Sequence, residues 1–351
     1  MRIILLPFLW IYQLVLILRH ALYDWGVFRS TSFKIPVVCV GNLSMGGTGK
    51  TPHIEYLIRL FANKYKTAVL SRGYGRSTKG FLLAKGEMTY RDIGDEPMQY
   101  FKKFKNITVA VDEKRVRGVN TLLNLPNPPE IILLDDAFQH RAIKAGLNLL
   151  LTDFHNLYPK DFLFPAGHLR DITAAAKRAD IIIVTKTPKV FSPFTRRRLI
   201  EIIQPKPHQN LYFSYLSYGR MIPVGETMQT ATPRRISTIL LFCGIANPYP
   251  LQDFLQNKCT ELITVDFPDH HIYTQKDMHH IVNEYENILG KNKIIVTTEK
   301  DAMRLIDSPY FRLFKNIPLF YIPVEVKFHE DEQLSFDQQL NEYVRTTTAD
   351  R

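Results

Sequence analysis

Short, largely apolar runs recur along the chain with polar stretches between them: Val37–Val40, Thr67–Leu70, Ile107–Val111, Ile131–Leu134, Leu147–Leu151 and Ile181–Val184. A strand with water on one face alternates apolar and polar residues. These runs do not alternate, so each predicts a strand covered on both faces, as in a parallel sheet. Helical patterns fall between them. Ile54, Leu57, Ile58 and Leu60 share or adjoin one face of a predicted helix over His53–Ala62. Gly94-Asp95-Glu96-Pro97 reads as a helix start, because Pro suits the first turn and two acids favour the positive end of the dipole. Asp112-Glu113-Lys114-Arg115 opens another helix. Residues 205–235 are richer in Pro, Gly and Tyr and predict a connector. Beyond them the alternation resumes, with strands at Ile239–Cys243, Leu262–Val265, Lys293–Thr297 and Leu319–Val326 and a helix over about Thr274–Leu289. The last charged residues read as frayed. The expected fold class is α/β, with a core of mostly parallel sheet covered by helices and a second, smaller α/β lobe.

The N-terminus breaks this pattern. From Ile3 to Leu18 every residue but Gln13 is apolar, with Pro7 near the start, and Arg2, Arg19 and His20 frame the run. Its sixteen residues span roughly 24 Å as a helix, short of the ~30 Å hydrocarbon core of a bilayer. Trp10, Tyr12, Tyr23 and Trp25 supply the amphipathic rings of a headgroup belt, and no small-x-small cleavage site follows. A membrane-associated helix, inserted in or tilted across the inner face of a membrane, is expected. The resulting division is 1–28 membrane helix, 29–205 larger lobe, 206–235 connector and 236–351 smaller lobe.

Composition adds two constraints. With 351 residues and a formal net charge of +11, two domains and an anionic partner are expected. No zinc-finger spacing, RNA-recognition signature or basic heptad helix is present, so the anion is expected to be a membrane surface or phosphorylated substrate, not nucleic acid. No obligate protein partner is evident. Arg196-Arg197-Arg198 and Arg234-Arg235 read as solvated faces. Cys39, Cys243 and Cys259 show no CxxC spacing, which suits a reducing compartment.

The candidate chemistry centres on Val37–Val40 and the segment directly after it: Gly41-Asn42-Leu43-Ser44-Met45-Gly46-Gly47-Thr48-Gly49-Lys50-Thr51-Pro52. A buried strand, a glycine-rich turn and a helix start in this order make a phosphate cradle. Glycine lets successive backbone N–H groups point inward, and the helix adds its positive end. Nucleotide binding is assigned to Ser44, Met45, Gly46, Gly47, Thr48, Gly49, Lys50 and Thr51. Lys50 is expected on the β- and γ-phosphates, and the Thr51 hydroxyl on Mg²⁺. Ser44 stands where the general pattern has Gly. Asp135 and Asp136 end an apolar strand 85 positions after Lys50, where an acid holds Mg²⁺ directly or through water. Ser71-Arg72-Gly73-Tyr74-Gly75-Arg76 lies at a strand's C-terminal end, where open α/β sheets bind ligands. On local pattern alone Asp95 is either a helix cap or a functional acid. Asp269-His270-His271 admits a structural, catalytic or metal-binding reading.

Together these residues resemble the tetraacyldisaccharide 4′-kinase family, which phosphorylates the lipid A disaccharide precursor. The likeness rests on five motifs in order: Gly41-Asn42-x-Ser44-x-Gly46-Gly47-Thr48-Gly49-Lys50-Thr51-Pro52, Ser71–Arg76, Gly94-Asp95-Glu96-Pro97, Leu134-Asp135-Asp136-Ala137-Phe138-Gln139-His140 and Phe267-x-Asp269-His270. Ser44 is in keeping with that family. Asp171 stands where Glu is more usual, and Thr185-Lys186 replaces a common Asn-Gly. The resemblance implies an ATP- and Mg²⁺-dependent kinase at the cytoplasmic face of the inner membrane of a Gram-negative bacterium, acting on a lipid A disaccharide precursor. It implies Asp95 as the base, His270 tuning it from the other lobe across a cleft, Lys50 as a third catalytic group, and substrate or phosphate contacts at Tyr74, Glu96, Arg115, Arg170 and Asp171. The alternative is a membrane-associated ATPase switch with a deviant phosphate loop. Such loops carry Lys just before Gly-Gly, where this chain has Met45.

Overall fold

The computed structural model describes residues 6–225, 235–269, 271–290, 292–329 and 332–349. In chain order the elements are α1 (Leu6–Asp24), β1 (Val37–Asn42), α2 (Lys50–Phe61), β2 (Thr67–Ser71), β3 (Leu82–Leu83), α3 (Tyr90–Ile93), α4 (Asp95–Lys103) and β4 (Thr108–Val111). Next come α5 (Arg115–Leu123), β5 (Ile131–Asp135), β6 (Leu147–Asp153), β7 (Ile181–Thr185), α6 (Pro193–Ile203), β8 (Asn210–Tyr218) and β9 (Ile222–Pro223). The remainder are β10 (Thr238–Cys243), α7 (Tyr249–Gln256), β11 (Glu261–Asp266), α8 (Gln275–Asn287), β12 (Lys293–Thr298), α9 (Glu299–Ile306), β13 (Leu319–Ile322), β14 (Val324–Phe328) and α10 (Glu332–Ala349).

The chain forms two compact units that do not follow chain order. Unit 1 holds the chain up to Gly86, Tyr100–Leu216 and the residues from Val326 onward; unit 2 holds Glu87–Gln99 and Ser217–Glu325. A cut by chain order at residues 205 and 236 thus differs from the structure at three places. The segment around Asp95 lies in unit 2, the C-terminal helix lies in unit 1, and much of the expected connector is β8 of the unit 1 sheet.

Unit 1 is built on a nine-stranded sheet in the order β14-β8-β7-β6-β1-β5-β2-β4-β3. Its central pairs are parallel, with Val37 opposite Ile132 and Val38 opposite Leu147. Side chains alternate across β1. Val37 and Cys39 enter one core with Leu43, Leu134 and Phe138, while Val38 and Val40 enter the other with Ile54, Leu57 and Ile58 of α2. A strand covered on both faces has no room for a polar alternation, which is why these runs are continuous. The last charged residues, Asp350 and Arg351, expected to be frayed, lie outside the described residues, and the segment before them is helical to Ala349. Phe336, Leu340 and Val344, four residues apart on α10, pack into the second of those cores. Burying each such side chain contributes about 1.5–3 kcal/mol, enough to order a segment whose other positions are mostly polar. Tyr343 on the same helix exchanges hydrogen bonds through its hydroxyl with the backbone of Val37, at 3.0 Å as acceptor and 3.2 Å as donor.

Unit 2 carries a five-stranded sheet in the order β11-β10-β12-β13-β9, parallel except for the β13–β9 pair. The single strand expected over Leu319–Val326 is two strands in different sheets, β13 here and β14 in unit 1, with Pro323 between them.

α1 runs six residues past the apolar segment, to Asp24. Trp10, Ile11, Leu14, Val15 and Leu18 are exposed on it. Among the described residues no helix is long and apolar enough to cross a membrane.

Candidate functional site

β1 delivers the chain to the phosphate loop. Gly41 is required there by close approach. A Cβ on it would sit 2.5 Å from the Phe138 Cβ and 3.0 Å from its backbone nitrogen, so only glycine lets β1 lie against the loop after β5. Gly46 and Gly49 have positive φ, 103° and 86°, and turn the backbone into α2, whose first residue is Lys50. The loop is braced from several directions. Asn42, wholly buried, donates through Nδ2 to Thr48 Oγ1 at 2.8 Å, Thr185 Oγ1 donates to the Thr48 carbonyl at 2.9 Å, and the Met45 N–H donates to the His168 carbonyl at 2.6 Å. His53 bridges the Gly49 carbonyl (2.7 Å) and Ser214 Oγ (3.1 Å). Burial pushes its pKa down to about 4, against the upward pull of the Gly49 bond, so its neutral ring donates at Nδ1 and accepts at Nε2.

The acidic end of β5 faces this loop. Asp135 is buried and accepts from Ser71 Oγ at 3.1 Å. Asp136 sits at φ 49°, a left-handed conformation that turns its side chain out of the strand. Lys50 Nζ lies 3.8 Å from Asp136, and Arg170 pairs with the same carboxylate through Nη1 at 3.0 Å and through Nη2. Burial raises the Asp136 pKa, but Lys50, Arg170 and Arg115 outweigh it and hold the carboxyl below its ordinary value. His140 on the same loop is pushed down to about 4 by burial and by the charges of Arg115, Arg72 and Arg19. The three arginines that add to the effect of burial give this loop a positive field, which suits phosphate.

The structure buries two of the expected contact residues. Asp171 has no exposed surface and is bound to His20 Nε2 at 2.6 Å and to the Ile172 N–H at 2.9 Å. Arg115 is also buried, with its guanidinium donating to the Asp112 and Asp135 carbonyls. Arg170 is half-buried, and Tyr74 is among the most exposed rings. Ser44 is buried and Met45 exposed. The motifs already contained Asn42 and Gln139, but their bracing roles left no local signal, and neither did those of His53 and Thr185.

A second cluster lies in unit 2. Asp95 begins α4, and Arg304 of α9 grips it with both oxygens engaged, Nε to Oδ1 at 3.1 Å and Nη2 to Oδ2. Arg304 Nη1 also donates to Asp301 Oδ1 at 3.4 Å and to the His271 carbonyl at 3.3 Å. Lys300 lies 3.5 Å from Glu96. Asp95 therefore belongs to the same unit as the strand end leading to His270, and pairing of the two does not need a reach from one lobe to another. His270 itself lies outside the described residues. Its neighbour His271 is committed to Asp277 at 2.9 Å and stacks on Phe267.

The fold and the loop define a phosphate-loop α/β protein with paired cations and carboxylates at the phosphate end. A family model described as tetraacyldisaccharide-1-P 4′-kinase (LpxK) matches residues 1–345. The tetraacyldisaccharide 4′-kinase of Bacteroides thetaiotaomicron is 43% identical, covering 98% of this chain and 93% of that protein. Its namesake from Flavobacterium psychrophilum is 42% identical, covering 99% and 98%. Among solved structures, LpxK from Aquifex aeolicus in complex with ATP superposes with a TM-score of 0.73 at 27% identity, covering 98% of this chain and 99% of that one. This chain belongs to the tetraacyldisaccharide-1-P 4′-kinase family.

Proposed function

We propose that this protein transfers the γ-phosphoryl group of ATP to the 4′-hydroxyl of a tetraacylated glucosamine disaccharide 1-phosphate, a lipid A precursor. The observation that carries this reading is the Lys50–Asp136–Arg170 cluster at the mouth of a braced phosphate loop. Asp136 holds two cations side by side before any phosphate arrives. Little reorganisation is then needed as negative charge spreads over the transferring group, the condition under which fixed charges lower a barrier most. The α2 N-terminus and the loop N–H groups would hold the remaining phosphate oxygens.

Thr51, Asp135 and Asp136 supply the oxygen donors that a hard divalent cation takes, so they would hold Mg²⁺, which when bound neutralises charge on the β- and γ-phosphates. Asp95 is the proposed base, with His270 its expected partner. A guanidinium bound to both its oxygens fixes the carboxylate in place, and a carboxylate has lone pairs enough to take the acceptor hydroxyl's proton beside those bonds. The exposed apolar face of α1 and the net charge of +11 support seating at an anionic lipid surface, proposed as the cytoplasmic face of the inner membrane. The ATPase-switch alternative finds no support: Met45 replaces its lysine, and the Bacteroides and Flavobacterium relatives are kinases.

The test is a transfer assay with the purified full chain, γ-labelled ATP, Mg²⁺ and the tetraacylated disaccharide 1-phosphate dispersed in detergent. Label should appear in the lipid after thin-layer separation. Release of inorganic phosphate with no labelled lipid would overturn the reading.

A further inference from the structure

α1 carries two stripes on opposite faces. Trp10, Leu14 and Leu18, spaced four apart, point to solvent and are 69%, 65% and 53% exposed. On the other side, Leu16 and His20 are buried. Leu16 joins the apolar core, and the polar contacts of the inward side converge on the two segments of chain that flank Asn42. Arg19 Nη2 donates to the Gln139 carbonyl at 2.8 Å, and Gln139 Nε2 donates to the Asn42 carbonyl at 2.7 Å. Tyr12 Oη donates to the Arg170 carbonyl at 3.2 Å, while Arg170 Nη2 donates to Asn42 Oδ1 at 2.5 Å. His20 Nε2 meets Asp171 Oδ1 at 2.6 Å. Because Arg141 Nη1 donates to His20 Nδ1 at 3.2 Å, the ring proton sits on Nε2 and points at the Asp171 carboxylate. From Asn42 one further bond reaches Thr48 inside the phosphate loop.

We propose that Arg19 and His20 are positioning residues for phosphoryl transfer. Through them α1 holds Gln139 and the Arg170-Asp171 strap against Asn42 and so fixes the phosphate loop and the Arg170 guanidinium. This rests on the kinase reading above. The physical ground is that Asp171 has no exposed surface, so its carboxylate must keep its donors, and His20 is the closest of them. Losing the helix contact loosens the strap at the residue next to Arg170. An anchor that only tethered the enzyme would bind the body of the protein anywhere. This one binds at the two segments that contact the end of β1.

The test compares variants of the full chain in mixed micelles of detergent and anionic phospholipid, with ATP and the tetraacylated disaccharide acceptor. The outer-stripe variants Trp10→Ser and Leu14→Ser should raise the KM for lipid while leaving kcat at saturating lipid and the KM for ATP within about twofold of wild type. His20→Ala and Arg19→Ala should lower kcat at saturating lipid and raise the KM for ATP, together by roughly threefold to thirtyfold, the range seen for residues that act through a coupled network. His20→Gln, which restores a donor near the Nε2 position, should recover most of the loss. Arg19→Ala removes one hydrogen bond near the surface and keeps the test open if His20→Ala does not fold. Wild-type kcat and ATP KM in both inner-stripe variants would overturn the proposal, whatever their lipid KM. So would losses that disappear once rates are divided by the folded fraction from thermal melting. A failure of the kinase reading would show in the wild-type enzyme, whereas a failure of this inference shows only in the variants.

Discussion

Arg304→Ala gives a sharp test of how Asp95 is held. Arg304 is 5% exposed, and its guanidinium serves both oxygens of Asp95, the fully buried Asp301 and the His271 carbonyl. Truncation removes the cation that both carboxylates face. Breaking a buried pair at one partner costs about 3–5 kcal/mol, because the other charge stays desolvated. Asp95 keeps some solvent access, which favours the lower end of that range. For a domain of the size of unit 2 each kcal/mol is worth about 4 °C, so its melting transition should fall by roughly 12 °C or more. Asp95→Asn in the same background removes one of the stranded charges. The double variant should therefore be at least about 1 kcal/mol more stable than Arg304→Ala alone, a coupling that a double-mutant cycle in urea measures. Alone, Asp95→Asn should lower kcat by roughly 10²–10⁴ through loss of the base, with a smaller effect on melting. If Arg304→Ala melts within about 2 °C of wild type, the ion pair is not what orders this corner. If Asp95→Asn turns over at the wild-type rate, Asp95 is not the base.

The phosphate loop carries two further expected outcomes. Lys50→Ala should remain folded and lose several orders of magnitude in transfer rate, since an ammonium facing developing phosphate charge is gone; near-normal kcat in the purified variant would refute the loop assignment. His53 should make stability depend on pH. Its folded pKa is about 4 and its ordinary value 6.5, so the unfolded chain takes up a proton first as pH falls, and stability drops through that window by about 2 kcal/mol between pH 7 and pH 5. His53→Asn should flatten that part of the urea-midpoint profile, and an unchanged slope would refute the assignment.

The sequence alone determined the parts of this protein that are local. Continuous apolar runs mark β1, β5, β6 and β7 because a strand covered on both faces needs no polar alternation. The phosphate loop is legible for the same reason: a turn with positive φ at Gly46 and Gly49 between a strand and a helix needs those residues in that order. Five motifs in sequence carried the family. Tertiary structure decided everything that depends on which distant segments meet. Arg304 lies 209 residues from Asp95, and nothing in the pattern around either one names the other. Nothing local marks Asp171 as buried, yet it is, because α1 sets His20 against it from 151 residues away. α10 is not among the elements expected from the sequence, and three apolar residues on one of its faces order it once the unit 1 sheet offers them a surface. A residue's own chemistry and its near neighbours fix what it can do locally. Whether a charge is solvated, paired or buried depends on long-range packing, and short-range periodicity does not encode it.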